Sequence, residues 1–219
     1  FGVDTAFDEN ILKIGRRLVV KLYNAGKYVL SQEAAAGEIT CELDKAFINQ
    51  LRLNTTKVTE HFNRWDFSGA LASTETFFWA SFTDSYLELA KNRARGEGYT
   101  DEEKTSAVAS LRLALKTVLL QLAPFIPYIT EEIWSWAFAH ETGIPSIHAG
   151  AWPEADDFSS IAAPTDTEAF DNAVGCYSSN NKKKSEANMS IGRGIKNMTI
   201  KMNKSDADKL APVMKDILA

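Results

Sequence analysis

The sequence predicts a mainly α fold, with an antiparallel helix bundle over residues 1–140, a surface connection over 141–164 and a small α/β appendage over 165–219. Three observations predict it. Apolar residues recur at spacings of three and four through the bundle region, the repeat of helices that bury one face. Helix start and stop signals separate these stretches at short intervals, and short connections favour antiparallel neighbours. Beyond residue 140, glycine and proline punctuate the chain and the helical repeat weakens.

The opening helix carries Phe7, Ile11, Ile14, Leu18, Leu22, Ala25 and Val29 as one continuous apolar stripe. A second is predicted over about 43–63, with Phe47, Leu51, Val58 and Phe62 on its buried side. Asp66 or Ser68 caps a third, which reaches about Arg95 before Gly96 and Gly98 end it. Phe77, Phe78, Trp79, Phe82, Tyr86, Leu87 and Leu89 make this helix apolar nearly all round, so it belongs at the centre and its aromatic rings belong to the core. Thr100 and Glu103 have capping-box spacing for a fourth helix, striped by Leu111, Leu115, Val118 and Leu122. Pro124 and Pro127 break it and start a shorter helix through Ile129, Ile133 and Trp136. Trp134, Trp136 and Trp152 are assigned to packing. Gly143, Pro145, Gly150, Pro153 and Pro164 mark the connection. After it the expectation is a helix over 165–187, a strand over 194–202 and a closing helix over 206–218. Ile195, Met198, Ile200 and Met202 give that strand only partial alternation.

Composition narrows the function classes. Of 219 residues, 45% are apolar and 24% charged, an ordinary globular balance. No run of about 18 uninterrupted apolar residues predicts a membrane span, so no membrane partner is expected. Cys41 and Cys176 are too far apart for a disulfide framework or a zinc motif, which suggests a reducing compartment and a cytoplasmic location. His61, His140 and His148 have no companions at metal-ligand spacing, so no metal is expected. Gly192-Arg193-Gly194 lacks the strand-loop-helix context of a phosphate loop. The chain opens on Phe1 and reads as a piece of something longer. Its net charge is −5, so any nucleic-acid site must be a local patch.

Two such patches exist. Residues 13–27 hold five cations (Lys13, Arg16, Arg17, Lys21, Lys27) and no acid, and residues 182–204 hold seven cations and one acid, Glu186. On the opening helix, Asn10, Lys13, Arg17, Lys21, Asn24 and Tyr28 recur at spacings of three and four, one register behind the apolar stripe. One residue is about 100° around a helix, so this second stripe flanks the buried seam. It presents cations for phosphates, an amide for base edges and an aromatic ring for an unpaired base, the groups used to bind single-stranded RNA. Arg17, Lys21, Asn24 and Tyr28 are therefore the candidate site. Lys91, near the end of the third helix, joins the same ledge by geometry. The competing reading of these residues is an ordinary polar flank with a tyrosine at the bundle rim, or a helical module whose ledge binds an acidic partner helix.

Arg16-Arg17-Leu18 followed by Lys21-Leu22-Tyr23-Asn24-Ala25 resembles the first helix after the catalytic domain in valyl-tRNA synthetases, members of the class I aminoacyl-tRNA synthetases. Phe77-Phe78-Trp79 through Phe82, then Tyr86-Leu87-Glu88-Leu89-Ala90-Lys91, is similar to the third helix of the same family. So are the run from Ala123 to Trp134, Ser146-Ile147-His148 with Ala151-Trp152-Pro153, and Lys184-Ser185-Glu186-Ala187 with Met189-Ser190. Residues 177–183 and 139–144 depart from the family pattern. The resemblance implies a helical anticodon-binding domain of a class I synthetase. The parent enzyme would charge valine tRNA using ATP and Mg²⁺, in catalytic and editing domains that these residues do not include. It implies that Lys21 holds a phosphate, Asn24 bonds a base edge and Tyr28 stacks on an anticodon base. By position, Leu87 or Ala90 is the expected apolar wall of the same pocket. The alternatives within the class are isoleucine, leucine or methionine enzymes.

Overall fold

Five helices enclose most of the core. α1 (Glu9–Leu30), α2 (Glu42–Asn63), α3 (Phe67–Thr76), α4 (Leu87–Arg95) and α5 (Asp101–Leu122) succeed one another through short connections. The computed structural model describes residues 9–33, 37–190, 192–194, 199–201 and 204–218. The caps expected from sequence are in place. Asp66 accepts from the Gly69 amide at the start of α3, and Thr100 and Glu103 form a reciprocal capping box at the start of α5. Gly96 ends α4 in the left-handed conformation, φ 77°. Pro127 opens α6 (Pro127–Trp136), followed by α7 (Phe138–Thr142).

The core centres on Phe47 of α2. Its ring stacks on Tyr86 with centroids 3.8 Å apart and meets Phe77, Phe82 and Phe170. Phe77, Phe78 and Phe82 are buried as expected; Trp79 is only partly buried, for a reason that bears on the site. α5 is long and apolar enough by composition to cross a membrane, but 67% of its apolar window is buried inside the protein, as in a core helix.

Between α3 and α4 the chain winds as a π-helix over Phe77–Tyr86. Such segments are rare and wider than an α-helix, with backbone bonds from i to i+5. The Ser85 hydroxyl follows that spacing, donating to the Ala80 carbonyl at 2.7 Å.

A buried polar network joins the helix ends. Arg93 of α4 donates two bonds to Asp44 of α2 (2.5 and 2.6 Å), and the Tyr86 and Ser106 hydroxyls donate to the same carboxylate at 2.6 Å each. Arg93 Nε also meets Asp216 at 2.9 Å. Four hydrogen bonds from three partners satisfy a carboxylate charge that would otherwise be expensive to bury.

The connection is better packed than its glycines and prolines suggest. It contains two 3₁₀ turns, Ile147–Ala149 and Ala155–Phe158, and buries Ile147 and Phe158. Trp152 donates its indole N–H to Thr59 at 2.9 Å. After it come α8 (Ala169–Glu186), α9 (Lys204–Leu210), a 3₁₀ turn (Ala211–Val213) and α10 (Met214–Ile217). Phe170, Ala173, Leu210 and Val213 join the bundle's core cluster, so this region packs on the bundle directly. Most of the predicted strand over 194–202 lies outside the described residues, among which no strand occurs. Gly194 and residues 199–201 are irregular, while Ile195, Met198 and Met202 lie outside the described residues.

Candidate nucleic-acid interface

α1 divides into two parts. From Leu18 onward its stripe is buried as predicted, with Leu18, Leu22, Ala25 and Val29 in the core against α5 and α6. Before Leu18 the stripe fails: Ile14 is 60% exposed, and every residue from Leu12 to Arg17 faces solvent. Phe7 and the side chains of Asn10 and Ile11 lie outside the described residues. Among the described residues, Leu12 to Arg17 therefore stand clear of the core, and their cations face solvent. Close approach further along is set by Gly26, where a Cβ would sit 2.9 Å from Ile133 Cγ2.

Lys13, Arg16, Arg17, Val20, Lys21 and Asn24 line an open depression of about 500 Å³, closed on its far side by Trp79 of the π-helix. Arg17 and Asn24 are exposed. Lys21 is already engaged: its ammonium lies 2.5 Å from Asp84 Oδ1 and 4.9 Å from the centroid of the Trp79 ring.

Tyr28 stands one helical turn beyond Asn24 and is half-buried. Its hydroxyl donates to the Lys91 carbonyl at 3.4 Å, a long bond. Burial raises the Tyr28 phenol above its ordinary value against the pull of Arg95, so it is a neutral ring at physiological pH. The Lys91 ammonium lies 3.5 Å from Glu88 on its own helix. Arg17, Lys21 and Asn24 thus share one depression, while Tyr28 and Lys91 form a second patch beside Arg95. Leu87 and Ala90 do not supply a wall. They are 9% and 0% exposed and belong to the core, and the apolar lining comes from Val20 and Trp79.

Sequence reasoning missed Trp79, Asp84 and Arg95. Trp79 was assigned to the core because its helix is apolar nearly all round, and an α-helical repeat would set Trp79 and Asp84 about 140° apart. In the π-helix, Trp79 and Asp84 both reach Lys21. Trp136 is a second correction: at 37% exposure it meets Tyr23 edge-on at 5.3 Å on the surface. In the other basic run, Lys182 and Lys183 are exposed but Lys184 is buried, so those cations do not share one face. His61 lies 2.7 Å from Asp66, a helix-end pair. Among the described residues, no group of three or more His, Cys, Asp or Glu side chains is placed to hold a metal ion.

Residues 44–199 match the family described as the anticodon-binding domain of tRNA ligase. The chain is 36% identical over an alignment of 239 residues to a valine–tRNA ligase of Salinispora arenicola, covering all of this chain and 27% of that protein. A valine–tRNA ligase of a Wolbachia from Brugia malayi is 37% identical over 215 residues, 95% of this chain and 24% of the relative. One from Ehrlichia ruminantium (strain Gardel) is 45% identical over 139 residues, 61% and 17% respectively. The chain spans about a quarter of the length of the first two of these relatives. The family match begins at Asp44, whereas the Salinispora alignment covers the whole chain and so includes α1 and its cations.

Proposed function

The chain belongs to the anticodon-binding domain family of tRNA ligases, and from that premise we propose that it is the part of a valine–tRNA ligase that holds the anticodon loop of valine-accepting tRNA. The observation that carries the reading is the depression on α1, where Lys13, Arg16, Arg17 and Lys21 surround Asn24 opposite an indole face. Cations there neutralise phosphates, and the amide offers a donor and an acceptor to one base edge. One turn further, Tyr28 offers a flat neutral face for stacking, with Lys91 and Arg95 nearby to anchor the backbone.

The longer protein would attach valine to its tRNA in domains outside these residues, and ATP and Mg²⁺ would serve there. The role of the ledge is to bind and orient RNA. We place that role in the cytoplasm, a reading supported by two free, half-buried cysteines. Leu12, Ile14 and Val20, exposed among the cations, favour a second reading, a partner helix docked on the ledge.

A competition experiment separates these readings. The chain is bound to a labelled valine anticodon stem-loop, then challenged with unlabelled valine, isoleucine and methionine stem-loops and with an acidic amphipathic peptide. Displacement by the valine loop at the lowest concentration is the expected result. Preferential displacement by another loop would reassign the amino acid, and preferential displacement by the peptide would favour the docking module.

A further inference from the structure

Among the described residues, Lys21 is the one α1 cation with an acid at contact distance. Its ammonium is 2.5 Å from Asp84 Oδ1, and the pair is accessible, with side chains 34% and 59% exposed. The same ammonium lies 4.9 Å from the centre of the Trp79 ring, within cation–π range. Both partners come from the π-helix. The Thr83 hydroxyl between them donates to the Trp79 carbonyl at 3.1 Å and lies 3.4 Å from Asp84 Oδ1. Residues 13–27 contain no acid, so the whole counter-charge at this point is delivered from the facing helix.

Resting on the RNA-binding reading above, we infer that Asp84 is an internal counter-ion that an RNA phosphate must displace from Lys21, with the Trp79 face as the platform that holds the ammonium during the exchange. A lysine ammonium is a compact charge on a flexible stem with three donors, so it can leave a carboxylate for a phosphate without moving the backbone. Trp79 limits how far the stem can swing, which reduces the conformational freedom lost when a phosphate is bound. Asp84 opposes binding, because a carboxylate beside the incoming phosphate must lose its partner. It lowers the affinity of the ledge for any polyanion that uses Lys21. It carries no base contact, so it leaves the choice among RNA sequences unchanged.

The test is Asp84→Asn in the full chain, titrated with the valine anticodon stem-loop and with a scrambled loop at about 50 and 200 mM salt. The variant should bind both loops about two- to five-fold more tightly at the lower salt, the scale of one exposed ion pair. The gain should shrink at the higher salt, where the carboxylate is screened. The preference for the valine loop should stay within about two-fold of wild type. In a Lys21→Met background the same Asp84→Asn change should give a clearly smaller gain, which a merely structural role for Asp84 would not produce. Asp84 is exposed, so the melting temperature should hold within about 3 °C and serves as the folding control.

Unchanged or weaker binding by Asp84→Asn, while the wild type still prefers the valine loop, overturns the counter-ion role and leaves the function standing. An equal gain with and without Lys21 overturns it as well. A chain that binds neither loop, with or without Asp84, overturns both.

Discussion

Replacing Tyr28 by alanine separates two roles that its position combines. The ring is half-buried beside the core, and its hydroxyl makes one long bond of 3.4 Å to the Lys91 carbonyl. Truncating a fully buried aromatic ring costs about 3–5 kcal/mol, so a half-buried one should cost about half, roughly 1.5–2.5 kcal/mol. At roughly 2–4 °C per kcal/mol for a chain of this size, the melting temperature falls by about 3–10 °C. Loss of one base stack should weaken RNA binding by about 1–3 kcal/mol, or about five- to 150-fold. Tyr28→Phe keeps the ring and gives up only the long hydrogen bond, so stability should change by less than about 1 kcal/mol and RNA affinity by less than about two-fold. The assay is fluorescence anisotropy with a labelled anticodon stem-loop, run well below the melting temperature of each variant. If Tyr28→Ala melts lower yet binds the loop as wild type does, the ring is core alone and has no place in the ledge. If Tyr28→Phe binds as weakly as alanine, the hydroxyl carries the contact and the stacking argument fails.

Arg93→Met strands Asp44, which is fully buried, and should cost about 3–5 kcal/mol of unfolding free energy by urea titration; a loss under about 1 kcal/mol would mean the network contributes little. Gly26→Ala pushes a methyl to within 2.9 Å of Ile133 Cγ2 and should destabilise by about 1–3 kcal/mol, with part of the loss recovered by Ile133→Val; an unchanged melting curve would show that α1 and α6 have slack. Two carboxyls set an acid limit. Burial pushes Glu42 up, but the Thr165 amide and Lys45 more than offset it, while Lys215 and the Thr100 amide hold Glu103 down. Both titrate below the ordinary glutamate range in the folded chain, so their contribution is full above that range and is lost as the pH falls through it. Stability measured from pH 6 down to pH 3 should decline in that lower range, and Glu103→Gln should flatten part of the decline.

The bundle was legible because its signals are local. The Asp66 cap, the Thr100–Glu103 box, Gly96 and Pro127 each act within one turn, and each stands where the sequence places it. The α1 stripe was legible only where something covers it. Periodicity says which residues could be buried together, and from Leu12 to Arg17 nothing among the described residues buries them. The strand expected over 194–202 rested on four apolar residues in partial alternation, of which only Ile200 falls among the described residues. Lys21 and Asn24 were legible as neighbours because they share α1 and its fixed angle per residue, whereas Tyr28, one turn on, falls in a second patch. Trp79 and Asp84 were not, because their placement depends on a π-helical winding that a repeat of 3.6 cannot anticipate. Leu87 and Ala90 were misplaced for a related reason: a helix apolar nearly all round does not reveal which of its residues the core takes.

The most direct measurement is a titration of the chain with a valine anticodon stem-loop and a scrambled loop at about 50 and 200 mM salt. The valine loop should bind more tightly at both concentrations, with log K falling by about 0.7 for each phosphate neutralised per unit of log salt. Equal binding of the two loops would reduce the ledge to a basic helix face that does not read sequence. Affinity that does not respond to salt would contradict the phosphate contacts assigned to Lys13, Arg16, Arg17 and Lys21.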